Sequence, residues 1–169
     1  MSLPDDLLRQ AAHLVVFDID NPTQANLRRA VSAAYYALFH LLTAVCAAQA
    51  APAEPQSLRS VLRRALTHDG MRRACQVFAR AVGKPPDAVT PLIPATVPPA
   101  LAVVAQRFCL LQAARHAADY DTDLPVTRAD AEDAIAWAQE AITSWQTVEA
   151  MPEARAFLLA MLVMGRRNG

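Results

Sequence analysis

Apolar residues recur every three or four positions along most of this chain and seldom alternate, so the pattern predicts helices and no sheet. Ser2 stands before the acids of the first turn in SLPDDLLRQAAHLVVF, which predicts a capped first helix of about four turns. Asn21 followed by Pro22 reads as the cap and first helical position of a second helix, running unbroken to about residue 50 and forming the longest element. Leu58, Val61, Leu62, Leu66, Cys75, Val77 and Phe78 predict helix over residues 56–81, interrupted where Asp69-Gly70 offers turn chemistry. A fourth long helix is expected over residues 100–120. Thr127, with Asp130 in the capping-box position, starts another reaching about residue 149. A short last helix is expected over residues 152–164, followed by a frayed tail.

Proline punctuates these elements. APAEPQ is a connector, and residues 83–100 hold six prolines and one glycine, irregular by steric necessity, with Val89, Leu92, Ile93 and Val97 available to pin the segment to the core. No internal repeat is present. The expectation is one domain spanning residues 1–169, with its core over about 21–149, a proline-rich connector at 83–99 and an appended helix and tail at 152–169. The fold class is all-α, an antiparallel up-and-down bundle of four to five helices.

Composition agrees with that class: the chain is 54% hydrophobic and has only four glycines. Sixteen acids balance sixteen bases, which removes the electrostatic footprint of a DNA-coating protein and makes any nucleic-acid contact local. Cys46, Cys75 and Cys109 lie among apolar neighbours in no metal-ligand spacing, so no metal or cofactor is expected and the thiols read as small buried groups of a reducing compartment. The acidic N-terminus does not resemble a signal peptide, and no apolar run is read as long enough to cross a membrane. A cytoplasmic location is the expectation.

The candidate chemistry sits on two helices and one patch. In the fourth helix Leu101, Val104, Phe108, Leu111 and Ala118 share one apolar stripe, and Arg115 projects from its middle. A guanidinium there needs a partner or water, and Asp119, one turn on, is the nearest acid. His116 and Tyr120 occupy a neighbouring strip, so Arg115 could hold a phosphate while His116 moves a proton. The alternative is a structural Arg115–Asp119 pair at the bundle's end. The second helix is apolar on two faces: Leu27, Val31, Tyr35, Leu38, Leu42 and Val45 form one, and Arg29, Ala33, Tyr36, His40, Ala44 and Ala47 the other. Such a helix is either central in its own bundle or buries its second face in a partner, which suggests a homodimer seam with Tyr36 and His40 facing a cleft. Finally, RRALTHDGMRR gathers four arginines around His68; with Arg63 it is the most basic patch and the place to seek RNA or an acidic partner.

RRAVSAAYYALFH, followed much later by RHAADYD, resembles the paired motifs of small bacterial proteins of the HEPN superfamily. Tyr35, Tyr36, Ala37, Phe39 and His40 match the first motif, and Arg115, Ala118, Asp119, Tyr120 and Asp121 the second. The resemblance implies an antiparallel helical bundle, often dimeric, associated with RNA cleavage in toxin–antitoxin, defence and stress systems or with nucleotide binding. Active members are metal-independent RNases with a polar residue after the arginine and then a histidine separated from the arginine by about four to six residues. Here positions 120–122 are Tyr120, Asp121 and Thr122, and a phenol with a reference pKa near 10 is a poor proton acceptor. Three roles are open to such a chain. The first is a non-catalytic module binding nucleotide, RNA or a partner through Arg115; the second is a divergent RNase using His116 or His40; the third is a subunit regulating a co-encoded nucleotidyltransferase.

Overall fold

A computed structural model describes residues 2–17, 20–80 and 87–165. Among them all regular structure is helical: α1 Leu3–Val16, α2 Gln24–Ala50, α3 Gln56–Ala65, α4 His68–Phe78, α5 Pro99–Tyr120, α6 Arg128–Val148 and α7 Pro152–Gly165, with one tight helical turn at Thr90–Leu92. The all-α class is therefore as expected, with seven described helices rather than four or five. The tail from residue 166 and the start of the proline-rich connector, within residues 81–86, lie outside the described residues.

Local signals explain the starts. Ser2 and Asp5 form a capping box on α1, and Thr127 and Asp130 form one on α6, each side chain answering the other's backbone N–H. Two boundaries differ from the sequence reading. The cap of α2 is Thr23 rather than Asn21, its hydroxyl accepting from the Asn26 N–H at 3.2 Å, so Pro22 precedes the helix. The break between α3 and α4 falls at Leu66 and Thr67, not at Asp69-Gly70. Thr67 caps α4 by accepting from Gly70 N–H, and Asp69 then favours the positive end of the helix dipole.

The long helix α2 is the axis of the assembly, packing against α1, α3, α5, α6 and α7. It buries Leu27, Val31, Tyr35, Leu38 and Leu42 on one side and Ala33, Ala37 and Ala47 on others, so the helix is central within its own chain. Arg29, assigned from sequence to the second non-solvent face, is exposed instead. By length and composition α2 is apolar enough to cross a membrane, contrary to the sequence reading, but 72% of its most apolar window is buried among its own neighbours.

The core also reaches beyond residues 21–149. Ala11 and Val15 of α1 and Phe157, Leu158, Ala160 and Met161 of α7 belong to the same buried cluster as Trp145 and Phe108. α1 packs on α2 and α6, while α7 closes over α4. Burying each such aliphatic or aromatic side chain contributes about 1.5–3 kcal/mol, so neither terminal helix is an appendage. The proline-rich connector is pinned as expected: Val89 and Val97 are buried, and Leu92 and Ile93 pack against the core. By contrast α3 buries no residue, leaving Leu58 and Val61 exposed. It is tied down by Arg59, which donates to the carbonyls of Ala51 and Pro52 at 3.0 and 2.6 Å.

Candidate functional site

The stripe of α5 is buried as its spacing predicts: Leu101, Val104, Phe108 and Leu111 are fully covered and Ala118 nearly so. Arg115 emerges from it into a cage of α2 and α5 side chains. Its Nε lies 2.7 Å from Asp119 Oδ2, an ion pair whose N–H points off the hydrogen-bonding line, and its Nη2 donates to the Tyr36 hydroxyl at 3.2 Å. The rings of Tyr36 and Tyr120 each stand 5.6 Å from the guanidinium carbon, within cation–π range. Burial works to discharge Arg115, and Tyr36, Asp119, Tyr120 and Tyr35 outweigh it, holding its pKa above the ordinary value.

Two residues that the sequence reading passed over complete this clasp. The buried Ser32 donates to Asp119 Oδ1 at 2.6 Å. Arg28, one turn earlier on α2, caps the end of α5, donating to the carbonyls of Ala118 and Asp121 at 2.8 Å and of Leu124 at 2.7 Å. A cation satisfying orphan carbonyls is the arrangement a helix C-terminus favours. The signal was present as polar residues at one-turn spacing, Arg28, Ser32, Tyr36 and His40, within an otherwise apolar helix. Asp121 is taken up locally, its Oδ1 accepting from the N–H groups of Asp123 and Leu124.

The other candidates surround the clasp. Tyr35 is buried, and burial raises its phenol far above the usual range, so it is neutral; its hydroxyl lies 2.6 Å from His68 Nδ1. His68 stacks against Phe39 at 4.3 Å, and burial, then the Arg115 charge and His40, lower its pKa. His40 stacks on Tyr36 at 5.9 Å, with its pKa lowered by burial and then by Arg63. His116 is exposed, with its ring 4.9 Å from that of Tyr120, which is itself 65% exposed.

Two concavities flank this cluster. Between α4 and α5 lies an open groove of about 1410 Å³, lined in part by His68, Arg72, Gln112, Arg115, His116 and Tyr120. Its ionisable walls carry Arg72 and Arg115 against Asp69, Asp121 and Asp123, and Arg72 pairs with Asp69 at 3.2 Å. Gln112 Oε1 is buried without a hydrogen-bond partner. Between α2 and α3 is a smaller groove of about 400 Å³, lined by Phe39, His40, Thr43, Ser60, Arg63, Arg64 and Leu66. The expected Arg63–His68 patch is thus split, with Arg63 in the second groove and His68 in the first. No group of three or more histidine, cysteine or acidic side chains suited to a metal occurs among the described residues.

The arrangement can hold a planar ligand on exposed rings and offer it amide and imidazole contacts. It does not present Arg115 as a free cation. Compared with known proteins, the chain matches no family model, no curated protein and no solved structure.

Proposed function

We propose that this chain is a HEPN-like helical module that binds rather than cleaves, taking a nucleotide or a single-stranded RNA segment along the α4–α5 groove. The observation that carries the reading is the contact between Arg115 and the Tyr36 hydroxyl, 3.2 Å long, which joins the two motif segments across 79 residues of sequence. The exposed Tyr120 and His116 rings provide a stacking platform. Binding without turnover follows from the state of Arg115. Its charge is committed to Asp119, and no imidazole stands on α5 where the family's RNases carry one. In this reading the module works in a toxin–antitoxin, defence or stress system, as a homodimer or with a co-encoded partner.

A second reading, metal-independent RNA cleavage, is favoured by one observation: His68 and His116 share the groove wall with Arg115, whereas His40 lines the other groove. One experiment separates the two. A fluorescent single-stranded RNA and AMP are titrated into the purified chain at low salt, and the RNA is then run on a denaturing gel. The binding reading expects saturable binding, intact RNA, and about a tenfold loss in Tyr120→Ala, in line with about 1–3 kcal/mol per stacked base. Cleavage abolished by Arg115→Ala together with His68→Ala or His116→Ala would replace it with the second. Absence of saturable binding to both probes would refute it.

A further inference from the structure

We propose that the groove between α2 and α3 is a phosphate subsite, in which Arg63 and Arg64 grip a phosphoryl group against the His40 imidazole. The charge distribution separates the two grooves. Around the α4–α5 groove the three carboxylates of Asp69, Asp121 and Asp123 outnumber the two guanidiniums of Arg72 and Arg115, and Arg115 is further tied to Asp119. A phosphate placed there finds each guanidinium already matched by a carboxylate. The α2–α3 groove carries Arg63 and Arg64 and no carboxylate at all. Neither arginine makes an ion pair or hydrogen bond with another described residue, so both forks of donors are open to a planar or tetrahedral oxyanion.

The site is built rather than merely basic. Arg63 and Arg64 are consecutive residues in the last turn of α3, and that helix is held in place by the Arg59 contacts to Ala51 and Pro52. Phe39 and Leu66 give the groove an apolar lining, and Ser60 and Thr43 line it as well, their hydroxyls donating to the carbonyls of Gln56 and His40. His40 is already disfavoured as a cation by burial and by Arg63. The groups facing it are Arg63 and Arg64 from α3, His68 from α4, and Tyr36 on its own helix. An anion between His40 and the arginines would screen that repulsion and draw a proton onto the imidazole. The two grooves meet at one ridge, where Tyr36, Phe39, His40 and His68 are in ring contact. A phosphate in one groove and its base in the other would then be bridged by aromatic faces.

The phosphate could belong to the free anion, a nucleotide or an RNA backbone, and only the choice among these rests on the function proposed above. The test titrates inorganic phosphate, AMP and a short single-stranded RNA into the full chain while following the His40 ring resonances by NMR. Expected is a saturable shift of His40 with an upward move of its pKa, reduced at least about tenfold in affinity in R63Q/R64Q. For RNA, the slope of log affinity on log salt should flatten by about 0.7 per lost phosphate contact. R29Q, an exposed arginine outside both grooves, should change neither, and circular dichroism should show that all variants keep their helicity. A His40 resonance unmoved by all three probes, or an equal loss in R29Q, would overturn the subsite. If RNA binding survives R63Q/R64Q unchanged but is lost in Tyr120→Ala, the subsite falls and the groove reading stands. If phosphate binds at His40 while RNA and AMP bind no better, the subsite stands and the nucleotide reading falls.

Discussion

Removing Asp119 is the most direct perturbation of the clasp, because one carboxylate holds Arg115 by one oxygen and Ser32 by the other. The two charged side chains are 17% and 24% exposed, which places the pair between two limits. Breaking a fully buried pair costs about 3–5 kcal/mol, whereas exposed pairs contribute about 0.2–1 kcal/mol. Discounting for the water that reaches both groups, the orphaned guanidinium should cost about 1–2 kcal/mol, and the stranded Ser32 hydroxyl about 1 kcal/mol more. Asp119→Ala should therefore destabilise by about 2–3 kcal/mol, lowering Tm by about 4–12 °C for a chain of this length. Arg115→Met keeps the alkyl packing and leaves Asp119 bonded to Ser32, so it should cost less, about 1–2 kcal/mol. Urea unfolding of wild type, both single variants and the double variant, followed by circular dichroism and by fluorescence of the buried Trp145, closes the cycle. The coupling energy should be about 1 kcal/mol, with an unchanged m-value, and should largely survive high salt. Coupling below about 0.3 kcal/mol would mean that the guanidinium finds solvent on its own, and Arg115 could then not be treated as a fixed wall of the groove.

Two further outcomes follow from the titrating groups. His40 and His68 have folded-state pKa values below their ordinary value of 6.5, so each binds its proton more readily in the unfolded chain. Their contribution to stability is complete above that value and declines as pH falls below it, until the folded-state pKa is passed. Denaturation midpoints should drop from pH 7.5 to about pH 5, and His68→Gln should flatten the profile; a profile rising toward acid in wild type would contradict the assignment. Among the thiols, burial holds Cys46 at about 12 and pushes Cys75 well up, while a hydrogen bond from the Cys75 thiol and the charge of Arg72 lower Cys109. Iodoacetamide at neutral pH should label Cys109 first and spare Cys46 and Cys75, as read by peptide mass spectrometry; equal labelling of all three would refute the ordering.

The helices and much of the burial were readable from residue spacing alone. The caps Ser2 and Thr127, the unbroken run to Ala50 and the covered stripe of α5 are local consequences of 3.6-residue periodicity and side-chain-to-backbone bonding. The Arg115–Asp119 pair was also within reach, because residues one turn apart on a helix meet whatever surrounds them. Where sequence misled, a local signal lost to a stronger neighbour. Thr23 rather than Asn21 caps α2, its hydroxyl accepting from the Asn26 N–H, and the Thr67 cap draws Asp69-Gly70 into α4.

Long-range placement was decided elsewhere. Spacing predicts that α2 has two apolar faces but not which elements cover them, since burial depends on how helices are stacked and not on which residues they contain. Only the packing of α1, α3, α5, α6 and α7 around α2 made it the axis, brought Tyr36 to Arg115, and turned Arg28 and Ser32 toward the end of α5. The same packing split one basic stretch of sequence between two grooves. It left the acids of the first beside Arg72 and Arg115, and left Arg63 and Arg64 without any in the second. Composition counts charges equally wherever they lie; electrostatics depends on their distances, and only the folded chain sets those.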